Sequence, residues 1–253
     1  MLRSGALQTL IGSTGSFTLL FSSRIRTSAL LPAYPSPIPL ILFRRARLRH
    51  VMDHFGILRA MDTQRPTPEQ PIPAHATKIF TGKIFDVYQW PQRLFNGETA
   101  TFEQIKRPDS VNVLPITQEG KIILTRQEQP GMKPFVGALG GRVDQGEEPE
   151  EAAKRELLEE AGIETTQLVL WDALQITEKV DWVIWTYIAK DCKKVSQQNV
   201  DAGEKIELIE VTFDEYLDVV AEDDYRDTEI SLKLLKLARH PEQLAATKST
   251  WLS

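Results

Sequence analysis

Cysteine is all but absent from this chain: among 253 residues only Cys192 carries a thiol. A single thiol excludes any disulfide within the chain, and with it the stapled architecture of small secreted domains; it fits a reducing compartment. Long apolar runs are missing too. The one stretch that suggests a membrane span, residues 29–43, falls short of the ~20 residues a span needs and is broken by Pro32, Pro35, Pro37 and Pro39, which excludes a transmembrane helix. Residues 1–60 contain no Lys and no acid other than Asp53. No internal repeat is evident.

What is present is the composition of an ordinary soluble globular protein, 42% hydrophobic and 26% charged, with enough apolar material for a sizeable core. The formal net charge of −5 is unevenly spread: residues 1–60 hold eight Arg against Asp53, a balance of +7, which leaves −12 for the remainder. An acidic body without a basic stripe is a poor partner for nucleic acid, whose binding rests on neutralised phosphates. The first 60 residues are rich in Ser and Thr, with Arg44, Arg45, Arg47 and Arg49 clustered. That is transit-peptide composition, but without a clean amphipathic period. Two readings stay open: a targeting extension leading to a mitochondrion or plastid, or a true start at Met52 or Met61, which implies a cytoplasmic protein and is preferred. Residues 61–76, with Pro66, Pro68, Pro71 and Pro73, read as a semi-extended linker.

Short strands are expected from residue 78 onward. Residues 85–90 and 99–106 flank the turn signal Asn96-Gly97, and 111–117 and 121–125 flank Gln118-Glu119-Gly120. Further strands are expected over 135–139, 167–176, 181–189 and 205–212. Thr212 and Glu215 form a capping box for a helix to about residue 221. Asp227 is the expected cap of a last helix, which carries Ile230, Leu234, Leu237 and Ala238 at helical spacing and stops before Pro241. Residues 241–253 read as a loose tail. Strands, a helix, strands and then two helices imply an α+β domain of layered α/β/α form with a mixed sheet.

The chain is organised around residues 141–163. Pro149 suits the first turn of a helix and Gly162 the residue just past its end, giving one helix of about three turns. Glu156, Glu159 and Glu160 stand on it at i, i+3 and i+4, so their carboxylates share an arc of roughly 100°. Like charges at that spacing cost about 0.2–0.5 kcal/mol a pair, and only Lys154 and Arg155 offset them locally. The arrangement calls for a cation. Hard oxygen donors with no His or Cys nearby point to Mg²⁺, or Mn²⁺ in its place, rather than zinc.

The same residues fit a fixed pattern, Gly-x5-Glu-x7-Arg-Glu-U-x-Glu-Glu-x-Gly-U with U a bulky aliphatic, at Gly141, Glu147, Arg155, Glu156, Leu157, Glu159, Glu160, Gly162 and Ile163. Seven fixed letters coincide by chance on the order of once in 10⁸ starts. The pattern resembles the signature of the Nudix hydrolase family, and the resemblance covers roughly residues 78–240.

The resemblance implies a Nudix α/β/α sandwich over residues 77–240 and Mg²⁺-dependent hydrolysis of a nucleoside diphosphate linked to a further moiety. It makes Glu156, Glu159 and Glu160 metal ligands. The carbonyl of Gly140 is a further candidate, in a loop reading Ala138-Leu139-Gly140-Gly141 where the family usually has Leu-Pro-Ala/Gly-Gly. Arg155 and Glu147 are expected as a buried pair that holds the Gly141 loop against the helix, with Gly141 and Gly162 structural. The acidic loop at 201–207 stands where the ADP-ribose branch carries a loop glutamate, so Glu204, then Glu207, is the expected general base. Glu160 and Arg155 complete the expected catalytic set.

Likeness to ADP-ribose and ADP-sugar pyrophosphatases extends to Arg107-Pro108-x-Ser110-Val111, to Thr125-Arg126-Gln127 and to the late Gly-Glu-Lys-Ile-Glu run. Arg107 and Arg126 are therefore candidates for forked hydrogen bonds to the substrate. Trp90, Trp171, Trp182, Trp185 and Tyr225 include candidates for stacking on a base, although aromatics at strand spacing belong mostly to the core. One departure concerns specificity: a proline that many ADP-ribose enzymes carry about sixteen residues after the motif is Lys179 here. The expected substrate is a small-molecule nucleoside diphosphate sugar, and a homodimer through the N-terminal strands is expected. The competing readings are a house-cleaning hydrolase of another nucleotide, and a non-catalytic sensor that binds a nucleotide sugar.

Overall fold

A computed structural model describes residues 64–200 and 202–253; the readings made for residues 1–60 and the contribution of Asp201 lie outside the described residues. In chain order the strands are β1 (Thr77–Thr81), β2 (Asp86–Arg93), β3 (Thr99–Lys106), β4 (Ser110–Pro115), β5 (Ile122–Glu128) and β6 (Phe135–Gly137). Helix α1 (Pro149–Ala161) follows, then β7 (Ile163–Glu164), β8 (Gln167–Gln175), β9 (Val180–Asp181), β10 (Val183–Lys190), β11 (Lys193–Lys194) and β12 (Lys205–Val211). Three helices close the chain: α2 (Phe213–Val219), α3 (Thr228–Leu237) and α4 (Pro241–Leu252).

Four small sheets result, and they mix pairing directions. The N-terminal meander β1-β2-β3 takes the short β9 alongside β3. Strand β10 pairs parallel with β4 and antiparallel with β8, while β5 lies between β12 and β6. Parallel and antiparallel ladders in one sheet give the α+β class, as the order of elements implies.

Side-chain alternation sets the layers. Val111 and Val113 of β4, Ile123 of β5, and Val183, Trp185, Tyr187 and Ala189 of β10 pack with Ala152, Ala153, Leu157 and Ala161 of α1. The residues of opposite parity, Leu114, Ile122, Leu124 and Ile188, pack with Phe213, Tyr216, Ile230, Leu234 and Trp251 from α2, α3 and α4. A period of two thus sends alternate residues of each strand into different cores, one per face. That is a helix–sheet–helix sandwich, with α1 the one helix on its side among the described residues.

Residues 241–253 are not a loose tail. Pro241, read as the stop of the preceding helix, opens α4 instead, where its missing N–H goes unneeded. Trp251 is buried in the second core, edge-on to Trp171 at 4.9 Å and to Phe213 at 5.5 Å between ring centroids. The linker departs from expectation in a smaller way. Residues 64–76 carry no regular structure, yet Arg65 is fixed by Asp109, at 2.8 and 2.9 Å, and by Asp181, at 2.7 Å. Among the described residues no helix is long and apolar enough to cross a membrane.

Candidate active site

Helix α1 presents the site, and both its ends are defined. Pro149 stands in the first turn, and Gly162 takes the left-handed conformation (φ 60°) and bonds back to the carbonyl of Leu158 at 2.8 Å. A side chain at Gly162 would also meet the carbonyl oxygen of Ser196 at 2.2 Å, so the position is closed to any larger residue. The last turn is covered by the following loop. Asn199 N–H donates to the carbonyl of Glu159 at 2.8 Å, and Gln198 Nε2 donates to those of Glu160, at 2.6 Å, and Ile206, at 3.3 Å. That last contact draws the start of β12, and the loop before it, towards the acidic end of α1.

Arg155 organises the carboxylates. Its Nε and Nη2 hold Glu147 as a fork, at 2.9 and 3.0 Å, and Nη2 also donates to the carbonyl of Arg142 at 3.0 Å. Nη1 donates to Glu156 at 2.7 Å and to Glu159 at 3.1 Å. A guanidinium has five N–H donors, and all five are committed inside the protein. Arg155 therefore orients other groups and has no donor left for substrate, which removes it from the directly catalytic set. The pair with Glu147 is partly exposed rather than buried. Its hydrogen bonds hold the Glu147 carboxyl below its usual range despite some desolvation.

Glu160 is buried and accepts the N–H of Gly140 at 2.8 Å. Desolvation pushes its pKa up to about 8, against the Gly140 hydrogen bond and with repulsion from Glu156 and Glu204 adding to it. Glu156 is raised in the same way, by burial first, with Arg155 opposing. Glu204 lies near enough to the α1 carboxylates for its charge to act on both Glu156 and Glu160. Glu204 itself accepts a hydrogen bond from Gln129 Nε2 at 3.1 Å.

The glycines of the facing loop leave no space. A Cβ on Gly141 would lie 2.3 Å from Glu156 Oε1, and one on Gly140 (φ 147°) would lie 2.0 Å from the carbonyl oxygen of Val111. The carbonyls of Leu139 and Gly141 accept from Val113 and Val111, at 2.7 and 2.9 Å. Between them, the carbonyl of Gly140 takes no protein donor among the described residues.

This donor set fits a hard divalent cation. Glu156, Glu159 and Glu160 each have one oxygen held by the protein and one without a protein donor, and the Gly140 carbonyl adds a fourth open oxygen. Glu160 is buried and Glu156 half-buried, and desolvation disfavours the charge on both, which is the environment a cation relieves. Among the described residues no three acidic, His or Cys side chains already stand at metal-ligand spacing, since Glu156 and Glu159 turn to Arg155 and Glu160 turns to Gly140.

Arg126 and Glu207 do not belong to this group. They are opposite each other in the β5–β12 register and bond to one another at 3.3 Å with both side chains largely exposed. Arg126 shares the parity of Ile122 and Leu124, which face α2–α4, so alternation sends the pair to the face away from α1. Both are withdrawn from the expected site. Arg107 stacks on the Trp182 ring at 4.2 Å, with Phe85 at 5.8 Å, and donates to Ser110 Oγ at 3.5 Å. Its Nε is buried without a partner, and burial, aided by nearby Arg142, lowers its pKa. Of the other stacking candidates, Trp90, Trp185 and Tyr225 are buried in the core, and Trp171 packs on Trp251.

The supporting roles of Asp227, Glu229 and Asn112 were not foreseen. Asp227 stands at the N-cap position of α3, but its buried carboxylate caps nothing there; it accepts the N–H of Ala138 at 2.7 Å, beneath the glycine loop. Burial raises its pKa. Glu229 accepts from Asn112 Nδ2 at 2.7 Å, and burial pushes it up to about 7. An acid at a helix start reads as a cap in any sequence, so only the fold separates the two roles.

A mixed α/β/α sandwich with a glutamate-bearing helix facing a glycine loop defines a class of pyrophosphate-cleaving enzymes. The NUDIX domain family model matches residues 106–232, and the chain belongs to the Nudix family as a pyrophosphohydrolase. It is 32% identical over 165 residues to the ADP-ribose pyrophosphatase of Bacillus subtilis (strain 168), covering 63% of this chain and 89% of that protein. It is also 34% identical over 166 residues to the methanol dehydrogenase activator of Bacillus methanolicus, with the same coverage. A solved structure, described as the crystal structure of ADP compounds hydrolase, shares the fold with a TM-score of 0.57 and 23% identity, covering 72% of this chain and 98% of that one.

Proposed function

We propose that this protein hydrolyses the diphosphate bond of a nucleoside diphosphate sugar of the ADP-ribose type, with Mg²⁺, to a nucleoside monophosphate and a sugar phosphate. The observation that carries the reading is the set of four open oxygens, from Glu156, Glu159, Glu160 and Gly140, on the helix and the glycine loop. Mg²⁺ bound by those oxygens supplies the positive charge that offsets a diphosphate and polarises water. Glu204 is the proton acceptor for the attacking water. Arg155 and Glu147 keep the acidic face in one geometry while the substrate binds and leaves. Arg107, on its aromatic platform and with a buried donor to spare, contacts the nucleotide.

The test is product analysis after incubating the full chain with Mg²⁺ and a panel of nucleotide sugars that includes ADP-ribose, ADP-glucose, UDP-glucose and GDP-mannose, with Glu159→Gln beside it. Release of a nucleoside monophosphate, lost in the variant, supports the reading; tight binding without turnover favours a sensor instead. The exposed Ile79 and Phe80 on edge strand β1 support a homodimer through the first sheet, which sedimentation velocity checks.

A further inference from the structure

Strand β5 is apolar at its start and then buries two polar residues, Thr125 and Gln127. With Gln129 just past its end, they fall at every second position and so on one face, the α1 side that Ile123 also faces. Thr125 Oγ1 donates to the carbonyl of Gly137 at 3.1 Å, with that of Ala138 at 3.3 Å. Gln127 Nε2 donates to Thr125 Oγ1 at 2.9 Å. Gln129 Nε2 donates to Gln127 Oε1 at 3.4 Å and to Glu204 Oε1 at 3.1 Å. The chain has one direction. Since the Thr125 hydroxyl gives its proton to a carbonyl, it must accept from Gln127, whose amide oxygen then needs a donor, and among the described residues only the NH₂ of Gln129 faces it. The second proton of that NH₂ points at Glu204. A flipped amide would set its oxygen against two acceptors, so the orientation of Gln129 is fixed by groups as far away as the glycine loop.

We propose that Gln129 is the positioning residue for Glu204, and that Thr125, Gln127 and Gln129 together tie the Glu204 loop to the Gly137–Gly141 turn. This rests on the reading of Glu204 as proton acceptor. The two halves of the site, the turn against α1 and the loop before β12, are far apart in sequence; backbone ladders run from β12 through β5 to β6 but begin at Lys205, one residue past Glu204, and leave the Glu204 side chain to be tied to the turn by other means. The side-chain chain does so along one strand. Gln129 occupies a single oxygen of Glu204 and leaves Oε2 without a protein donor among the described residues, so that one oxygen stays free to take a proton.

The test is a double-mutant cycle on the full chain with Mg²⁺ and ADP-ribose, using Gln129→Leu, Glu204→Gln and the pair, with Gln129→Asn as a donor displaced by one methylene. Gln129 lies at the rim of the sheet, so its variants are expected to fold, with thermal midpoints within a few degrees of the parent. The expected result is a kcat about tenfold lower for Gln129→Leu with KM within twofold, partial recovery in Gln129→Asn, and no further loss when Gln129→Leu is added to Glu204→Gln. If Glu204→Gln is slow but Gln129→Leu is as fast as the parent, or if the two losses multiply, the positioning role is wrong while the proton acceptor stands. If Glu204→Gln keeps full kcat, the proton acceptor itself is wrong and the proposal goes with it.

Discussion

The carboxylate of Glu160 makes the stability of the metal-free protein depend on pH in a direction opposite to that of an ordinary salt-bridged acid. Burial lifts its pKa from 4.5 to about 8. The folded state therefore binds this proton more tightly than the unfolded chain does, so stability is full below the unfolded value of about 4.5. It declines as pH rises towards 8 and is level beyond. A shift of that size at about 1.4 kcal/mol per unit sets an upper bound of about 5 kcal/mol; relaxation and water penetration bring the expected loss to ~2–3 kcal/mol. For a domain of this size that is a fall in Tm of roughly 5–10 °C between pH 5 and pH 8. The assay is thermal unfolding of chelator-treated protein across that range, beside Glu160→Gln and beside protein in saturating Mg²⁺. The variant should lose the part of the slope that Glu160 supplies, keeping the part due to Glu156, Asp227 and Glu229, which are raised in the same direction. Mg²⁺ should flatten the slope, because a cation favours the ionised form. An equal slope in Glu160→Gln, or a Mg²⁺ stabilisation that does not grow with pH, would refute the account of this carboxylate.

Three further outcomes follow from the geometry. Arg155→Lys keeps the charge but offers three donors where five are used, so kcat/KM should fall about 10- to 100-fold with a weaker apparent Mg²⁺ affinity; an unchanged Mg²⁺ titration would contradict the orienting role. Trp251→Ala opens a void among Trp171, Phe213 and Tyr216 and should cost about 3–5 kcal/mol in urea unfolding, whereas a true loose tail would show almost nothing. Arg126→Ala and Glu207→Gln each break an exposed pair on the far face, so stability should change by no more than about 1 kcal/mol and kcat by less than twofold; a tenfold loss of kcat in Glu207→Gln would return that residue to the mechanism.

The parts of the fold that were legible in the sequence are those dictated locally. Helix α1 is bounded by Pro149 and Gly162, residues whose backbone preferences need no tertiary contact, and its glutamate face follows from 3.6 residues per turn. The hairpin at Asn96-Gly97 was readable for the same reason, since Gly97 adopts φ 88°. Helix α4 was not, because only Leu244, Trp251 and Leu252 mark its buried side. So sparse a stripe forms a helix only once there is a core for Trp251 to enter. Arg126 and Glu207 carry the right chemistry on the wrong parity: which of two alternating sets faces α1 is decided by the second layer of helices. Gln127 drew notice only as a neighbour of Arg126, and Gln129 none, although polar residues at period two in an otherwise apolar strand are themselves a sign of an internal network. Asp227 was placed correctly at a helix start and given the wrong partner, because caps are local and the Ala138 N–H is 89 residues away.

The way Arg155 is used bears on how the site handles its cation. Its guanidinium already holds Glu156 and Glu159 by one oxygen apiece, so the acidic face has a resident counter-charge before any metal arrives. A cation would have to draw these carboxylates together from the positions that Arg155 and Gly140 give them, on a helix that is already capped and packed without it. A zinc finger is the opposite case, where the ion is part of the skeleton and its loss unfolds the chain. Under the proposed reading the divalent cation is exchangeable freight rather than skeleton, and activity would then follow the free cation as it follows the substrate.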